Sequence, residues 1–237
     1  MLNTKNVDET LIIDSETISY NYFNKKNNHM NIVSIHGAGP GGKDAVSYLK
    51  KVFITNGYNL LTFDHSGHGR STGAISNSSL SKRVREALTL IRTKNIKEPF
   101  GLMGTSMGGH ICLELLGKMN IDKLILFCPA LYSSKAYSLP FNQQFTKEIR
   151  KHKSYMNASI IENLKNFSGD FFLIQAEKDN IIPEEVIEIY WKNAINCTKK
   201  KKLILKDTPH PIHKWAHSNR EIRELIIKEI NTFLSNE

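Results

Sequence analysis

The stretch Gly104-Thr105-Ser106-Met107-Gly108 satisfies G-x-S-x-G, with an apolar run before it and a helix-like stretch after it. A serine placed on a sharp strand-to-helix turn needs glycines on both sides, because side chains there would collide with neighbouring elements. The N-terminus of the following helix then favours negative charge developing beside the hydroxyl. A serine hydroxyl is a weak nucleophile until a base removes its proton and a third group holds the base. Residues in the order Ser, acid, His are available. Asp179 ends FFLIQAEKD shortly before Pro183, and His210 follows the apolar run Lys202 to Leu205 in KDTPHPIHKWAH. Asp179 is preferred to Glu177 because the turn after a strand lets a side chain point at a neighbouring loop. His210 is preferred to His213 because Pro209 and Pro211 keep its backbone in a stiff extended loop. Glu177 and His213 stay open as alternatives, and His217 reads as a surface histidine.

A second stretch, VSIHGAGPGGKD at Val33 to Asp44, suggests different chemistry. Gly37, Gly42 and Lys43 have the offsets of a phosphate-cradling loop, and Asp64 at the end of LLTFD could imitate a metal-binding aspartate. However, Asp44 puts a carboxylate where that loop needs a hydroxyl, and Pro40 removes an amide donor. The nucleotide-binding reading is therefore secondary. His213 and His217 are spaced i, i+4 as a metal pair would be, but no Cys or carboxylate cluster joins them to support zinc. Cys112, Cys128 and Cys197 are odd in number and lack C-x-x-C spacing, so they read as small buried hydrophobes.

The 237 residues are 40% hydrophobic and 23% charged, which fits one globular domain with a sizeable core rather than a disordered chain. A formal charge of +9 would attract anions. The lysines are nevertheless dispersed or sit at expected element ends, as at Lys199 to Lys202, and no nucleic-acid motif accompanies them. A solvated surface, with no nucleic-acid partner, is the expectation. The N-terminal MLNTKNVDETLIID lacks a basic segment, apolar core and cleavage site, and no apolar run approaches a membrane span. These readings predict a cytoplasmic protein; the oligomeric state is not written in the chain.

The elements that must position these residues follow an alternating plan. Thr10 to Phe23 reads as an antiparallel edge hairpin around Asp14-Ser15. Strands are predicted at Asn31 to Ile35, Asn59 to Asp64, Phe100 to Gly104, Lys123 to Cys128, Asp170 to Gln175 and Lys202 to Leu205. Most are continuous Val/Ile/Leu/Phe runs, as in strands buried on both faces of a parallel sheet. Helical patterns lie between them at Asp44 to Asn56, Leu80 to Lys94, Gly108 to Met119, Pro183 to Ile195 and Arg220 to Leu234. This is the signature of a doubly wound α/β fold with its active residues at the strand C-terminal ends. A single domain over 1–237 is expected, with a helical cap inserted at about 130–168, where no strand is written. Tyr132, Tyr137, Leu139, Phe141, Phe145, Tyr155 and Met156 could line an acyl pocket there or pack the cap onto the body. Lys135, Lys147, Arg150, Lys151 and Lys153 read as a solvated face before they read as an attractor for an anionic thioester carrier.

Taken together, HGAG at 36–39, DHSGHGRS at 64–71, GTSMGG at 104–109, AEKDNIIP at 176–183 and PHPIHKW at 209–215 resemble the α/β-hydrolase superfamily, over about Ile32 to Leu234. The resemblance implies Ser106 as nucleophile, Asp179 as acid and His210 as base. It also implies an oxyanion hole from the amides of Ala38 and Met107, and no metal or organic cofactor. Asp64, Gly67, Gly69 and Ser71 then shape a turn, Lys43 and Asp44 begin a helix, and His65 and His68 are expected to be exposed loop histidines. The implied activity is hydrolysis of a small-molecule carboxylic ester or thioester. Acyl transfer, peptide hydrolysis and a non-catalytic binding role on the same scaffold are the alternatives.

Overall fold

A computed structural model describes residues 8–25, 27–28 and 30–235. Residues 1–7, half of the N-terminal stretch read above, lie outside them. Strands β1 (Glu9–Ile13) and β2 (Glu16–Phe23) form an antiparallel hairpin, with Glu9 opposite Tyr20. Asp14 and Ser15 make its turn at φ 50° and 67°, the positive-φ geometry that matches strand twist. The apolar runs supply β3 (Met30–Ile35), β4 (Tyr58–Phe63), β5 (Phe100–Thr105), β6 (Ile121–Phe127), β7 (Asp170–Lys178) and β8 (Lys199–Pro209). All eight belong to one sheet in the order β1-β2-β4-β3-β5-β6-β7-β8. It is parallel from β4 to β8, and β2 joins β4 antiparallel. The chain moves outward from β3 to β4, then returns to place β5 on the other side of β3. Loops leaving β3 and β5 therefore diverge, which opens a crevice at their C-terminal ends.

Helices cover both faces. A 3-10 turn (Lys43–Leu49) runs into α1 (Lys50–Thr55). There follow α2 (Leu80–Thr93), α3 (Met107–Leu116), α6 (Glu184–Asn193), α7 (Ile212–Ser218) and α8 (Arg220–Leu234). One apolar layer gathers residues of α2, α3 and α6, and the other those of α1, α7 and α8. Each fully buried Phe, Leu or Ile in them contributes roughly 1.5–3 kcal/mol. Helix α2 shows how local sequence sets packing. The Ser79 side chain caps it by accepting from the Lys82 amide at 3.1 Å, and Leu80, Val84, Ala87 and Ile91 form its buried stripe.

Between β6 and β7 the chain carries short helices α4 (Gln143–Ile149) and α5 (Ile161–Lys165) and no strand. Of the aromatic and aliphatic residues read there, Phe145 is buried and Tyr132, Tyr137, Leu139, Phe141 and Tyr155 pack against the body's core, whereas Met156 is 64% exposed. Lys135, Lys147, Arg150, Lys151 and Lys153 are exposed, with Lys151 paired to Glu148 and Lys153 to Glu185. The lysines at 199–202 sit at the beginning of an element, as expected of an element end. They open β8, an edge strand of the sheet, where lysine discourages pairing with another chain. Among the described residues no helix is long and apolar enough to cross a membrane.

Candidate active site

Ser106 occupies the turn between β5 and α3 with φ 51° and ψ −115°, a conformation that few L-residues adopt. The flanking glycines make the turn possible. A Cβ on Gly108 would lie 2.2 Å from the Ile35 carbonyl oxygen, and one on Gly104 would lie 2.7 Å from the Cys112 sulfur and the Gly108 carbonyl oxygen. The Ser106 amide donates to the Phe127 carbonyl at 2.9 Å, and its own carbonyl accepts from Gly109 and Ala130. The turn that carries the hydroxyl is thus tied to the end of β6 and to the first turn of α3.

His210 follows β8 directly, and its Nε2 lies 3.1 Å from Ser106 Oγ. Its Nδ1 lies 2.7 Å from Asp179 Oδ2. The other carboxylate oxygen, Oδ1, accepts the amides of Ile181 and Ile182, each at 2.9 Å. Burial alone would raise the Asp179 carboxyl. Hydrogen bonds from His210, Ile182, Ile181 and Cys128 outweigh it and hold the group below the ordinary carboxylate range. A carboxylate so fixed keeps Nδ1 protonated and leaves the Nε2 lone pair facing the serine. The three residues come from loops after β5, β7 and β8, whose parallel direction brings these loops to the same edge of the sheet.

The alternatives lie elsewhere. Glu177 is exposed, and its carboxylate accepts the Asp207 amide at 2.8 Å. His213 is buried under the nucleophile turn, with Nε2 2.8 Å from Thr105 Oγ1 and Nδ1 2.9 Å from the Tyr48 hydroxyl. Burial pushes it down to about 3, so it is neutral and structural at neutral pH. His217 is exposed and donates through Nε2 to the Ala45 carbonyl at 3.0 Å. Protein groups thus engage both rings, whose i, i+4 spacing suggested a metal pair. One three-ligand set does exist, since Cys128 Sγ and ligand atoms of Asp179 and His210 lie within 4.8 Å of one another. The thiol is raised well above its ordinary value by burial, and its sulfur accepts the Ala176 amide at 3.3 Å. It reads as a hydrogen-bonded neighbour of the acid.

Lys43 begins the 3-10 turn, as expected, but its side chain points inward. Its Nζ lies 3.0 Å from Asp64 Oδ2 and 3.1 Å from Ser19 Oγ. Asp64 also accepts the amides of Lys43 and Arg70, so this aspartate ties the two loops together. A lysine held in that way cannot reach a nucleotide phosphate. His65 and His68 correct an expectation, for they are not exposed: they retain 0% and 5% of their surface. The Asp64-to-Ser71 loop folds back over the glycine-rich loop. There His65 donates to Glu86 at 2.7 Å, and His68 lies 3.1 Å from the Ala38 carbonyl oxygen.

Ala38 and Met107 stand on opposite sides of the crevice. The Met107 amide opens α3 and so has no intrahelical acceptor. Ala38 is exposed on the loop after His36. A cavity of about 560 Å³ opens beside them, lined by Gly37, Pro40, Val46, Ser106, His210 and Ile212 among others. Its volume falls within the range of small-molecule sites. Its walls are the glycine-rich loop and α7, and none of the seven residues read from sequence as an acyl-pocket lining in the 130–168 segment lines it. That separation was not written in the composition of the segment. The contact of Cys128 with the acid, the place of His213 beneath the nucleophile turn and the buried histidine cluster were not written in the sequence either. The one available signal was charge on the buried stripe of α2: Arg83 stands three residues after Leu80, where an apolar side chain belongs.

Comparisons with known proteins bear on the family and the fold. A model of the hydrolase family described as serine aminopeptidase S33 matches residues 26–156. The lysophosphatidylserine lipase ABHD12 of Mus musculus is 28% identical over 173 residues, 66% of this chain and 43% of that protein. A 2-hydroxy-6-oxononadienedioate/2-hydroxy-6-oxononatrienedioate hydrolase of Cupriavidus pinatubonensis is 27% identical over 64% of this chain and 55% of its own. The chain thus spans about half the length of these curated relatives. An esterase from Exiguobacterium antarcticum superposes with a TM-score of 0.70 at 16% identity, over 96% of this chain and 99% of that one. At that identity the likeness speaks for the α/β-hydrolase fold.

Proposed function

The chain belongs to the serine aminopeptidase S33 family of α/β-hydrolases, its model covering more than half of the residues, and on that premise we propose a serine hydrolase of carboxylic esters or thioesters. Ser106 attacks the acyl carbonyl while His210 Nε2 takes its proton, and Asp179 stabilises the imidazolium that forms. The amides of Ala38 and Met107 receive the tetrahedral oxyanion, each contributing about 3 kcal/mol. His210 then returns the proton to the departing alcohol or thiol. Water, deprotonated by the same imidazole, releases the acid from Ser106 and regenerates the hydroxyl. The segment 130–168 acts as a small cap packed on the body, and the acyl group lies in the cavity between the glycine-rich loop and α7.

The observation that carries this reading is the continuous chain from Ser106 Oγ through both His210 nitrogens to Asp179, at 3.1 and 2.7 Å. Two relatives are named as a lysophosphatidylserine lipase and as a 2-hydroxy-6-oxononadienedioate hydrolase, which supports hydrolysis without selecting the substrate. The test is turnover of p-nitrophenyl esters and acyl thioesters of graded chain length, with amino-acid p-nitroanilides as the amide control. Ester or thioester hydrolysis that peaks at short to medium chains and vanishes in Ser106→Ala supports the proposal. Turnover confined to the anilides would transfer the protein to peptide hydrolysis.

A further inference from the structure

Helix α2 buries a guanidinium that makes no direct ion pair among the described residues, with Glu86 acting on it only at longer range. Arg83 retains 0% exposure, and its Nε has no hydrogen-bond partner among the described residues. Glu86, three residues on, bonds to His65 instead. Burial lowers Arg83 to about 10, so the group stays charged at neutral pH. A buried cation without an ion pair is costly, and its neighbours indicate what the cost secures. Nη1 lies 3.5 Å from the Gly37 carbonyl oxygen and 3.3 Å from Met107 Sδ, and Nη2 lies 3.2 Å from His68 Nδ1. These residues flank the Ala38 and Met107 amides.

The hydrogen bonds fix a direction. His36 Nε2 accepts the His65 amide at 2.9 Å, so its Nδ1 carries the proton and donates to the Gly37 carbonyl at 2.6 Å. His68 is neutral, lowered by burial and by Arg83. Its Nε2 donates to the Ala38 carbonyl, and Arg83 Nη2 lies against the ring, 3.2 Å from Nδ1 and 3.3 Å from Nε2. The carbonyl oxygens before and after the Ala38 amide are therefore both held toward the protein interior. In a trans peptide the N–H points opposite to the C=O. Holding the Gly37 oxygen inward turns the Ala38 N–H outward, toward the side on which Gly37 and Ser106 line the cavity.

We propose that Arg83, acting directly and through His68, is the positioning residue of the oxyanion site. It fixes the Gly37–Ala38 peptide with its N–H aimed at the reacting carbonyl and keeps a buried positive charge behind it. The assignment rests on the acyl-transfer reading of Ser106. Its energetic basis is that a fixed dipole and a buried charge, already oriented, need no reorganisation when the oxyanion forms.

The test compares Arg83→Met, Arg83→Lys and His68→Leu with the wild type in three measurements. These are ester kinetics, affinity for an alkyl trifluoromethyl ketone whose serine adduct carries an oxyanion, and hydrogen exchange of the peptide spanning 36–45. Arg83→Met is expected to lower kcat about 30-fold with KM within about two-fold. It should weaken the ketone by the same factor as kcat/KM and speed exchange over 37–41. Arg83→Lys should recover part of each loss, a graded response that misfolding would not give. Should Arg83→Met fail to fold, His68→Leu is expected to show the same kcat loss and faster exchange. Unchanged kcat in a folded variant, or a KM rise alone, which would mark a substrate-anion contact, overturns the assignment. A wild type without turnover would sink the Ser106 reading, and exchange then decides alone: unaltered protection over 37–41 in the variants overturns the role of Arg83.

Discussion

At the residue scale the site divides the labour of one carboxylate. Asp179 spends Oδ1 on two backbone amides, which lock its orientation, and Oδ2 on His210. Asparagine in its place would keep the amide contacts but present an N–H to Nδ1, forcing the imidazole proton onto Nε2, where it faces the serine. Asp179→Asn is accordingly expected to lower kcat by about 10⁴ while leaving the thermal midpoint nearly unchanged. Glu177→Gln should leave kcat and KM as they are, because that side chain only meets the Asp207 amide. Steady-state kinetics on the pair separates the two acids considered from sequence. Equal losses in both variants would mean that the acid had been placed wrongly. Ser106, Asp179 and His210 could be read because each stands in a turn immediately after an apolar run. His65 and His68 could not, since nothing in DHSGHGRS says that the loop folds inward, and loop histidines are ordinarily solvated. Arg83 was legible only as a misplaced charge.

At the scale of elements, the approach of α3 to β3 sets the nucleophile turn. Gly108→Ala would drive a methyl to within 2.2 Å of the Ile35 carbonyl. Since that contact is backbone, α3 must move. The variant is expected to lose more than about 2 kcal/mol of stability, and at least about ten-fold in kcat where it folds. Chemical denaturation and kinetics check both. Ser79→Ala, which removes the cap of α2, should cost only about 1 kcal/mol and leave kcat intact. The buried strands and the amphipathic α2 and α8 were clear because their periodicity reports burial directly. Helix α7 was not, because seven residues hemmed by Pro211 and Asn219 show little periodic stripe. The start of β8 was hidden for another reason: its first four residues are lysines, which suit an exposed edge and mimic a loop.

At the scale of the molecule, the histidines among the described residues are unevenly shared between interior and surface. His36, His65, His68, His110 and His213 are all buried and held below the ordinary histidine value, His110 and His213 at about 3. Desolvation is the leading cause in each. The native state refuses protons that the unfolded chain binds, so stability is full above about pH 6.5 and falls as pH drops toward 3. Each histidine removes about 1.4 kcal/mol per pH unit within its window. Glu86, Glu114 and Asp122, raised by burial, act in the opposite sense at lower pH. The denaturation midpoint should therefore fall between pH 7 and 5.5, and His110→Gln should flatten that slope by about one proton. An unchanged slope would mean that His110 titrates normally in the native state. The central claim remains that this fold activates one serine. Intact-mass spectrometry after a fluorophosphonate probe, with peptide mapping and Ser106→Ala as control, tests it most directly. The account predicts one rapid adduct, on Ser106, absent from the alanine variant; a wild type left unlabelled, or labelled equally in Ser106→Ala, would contradict it.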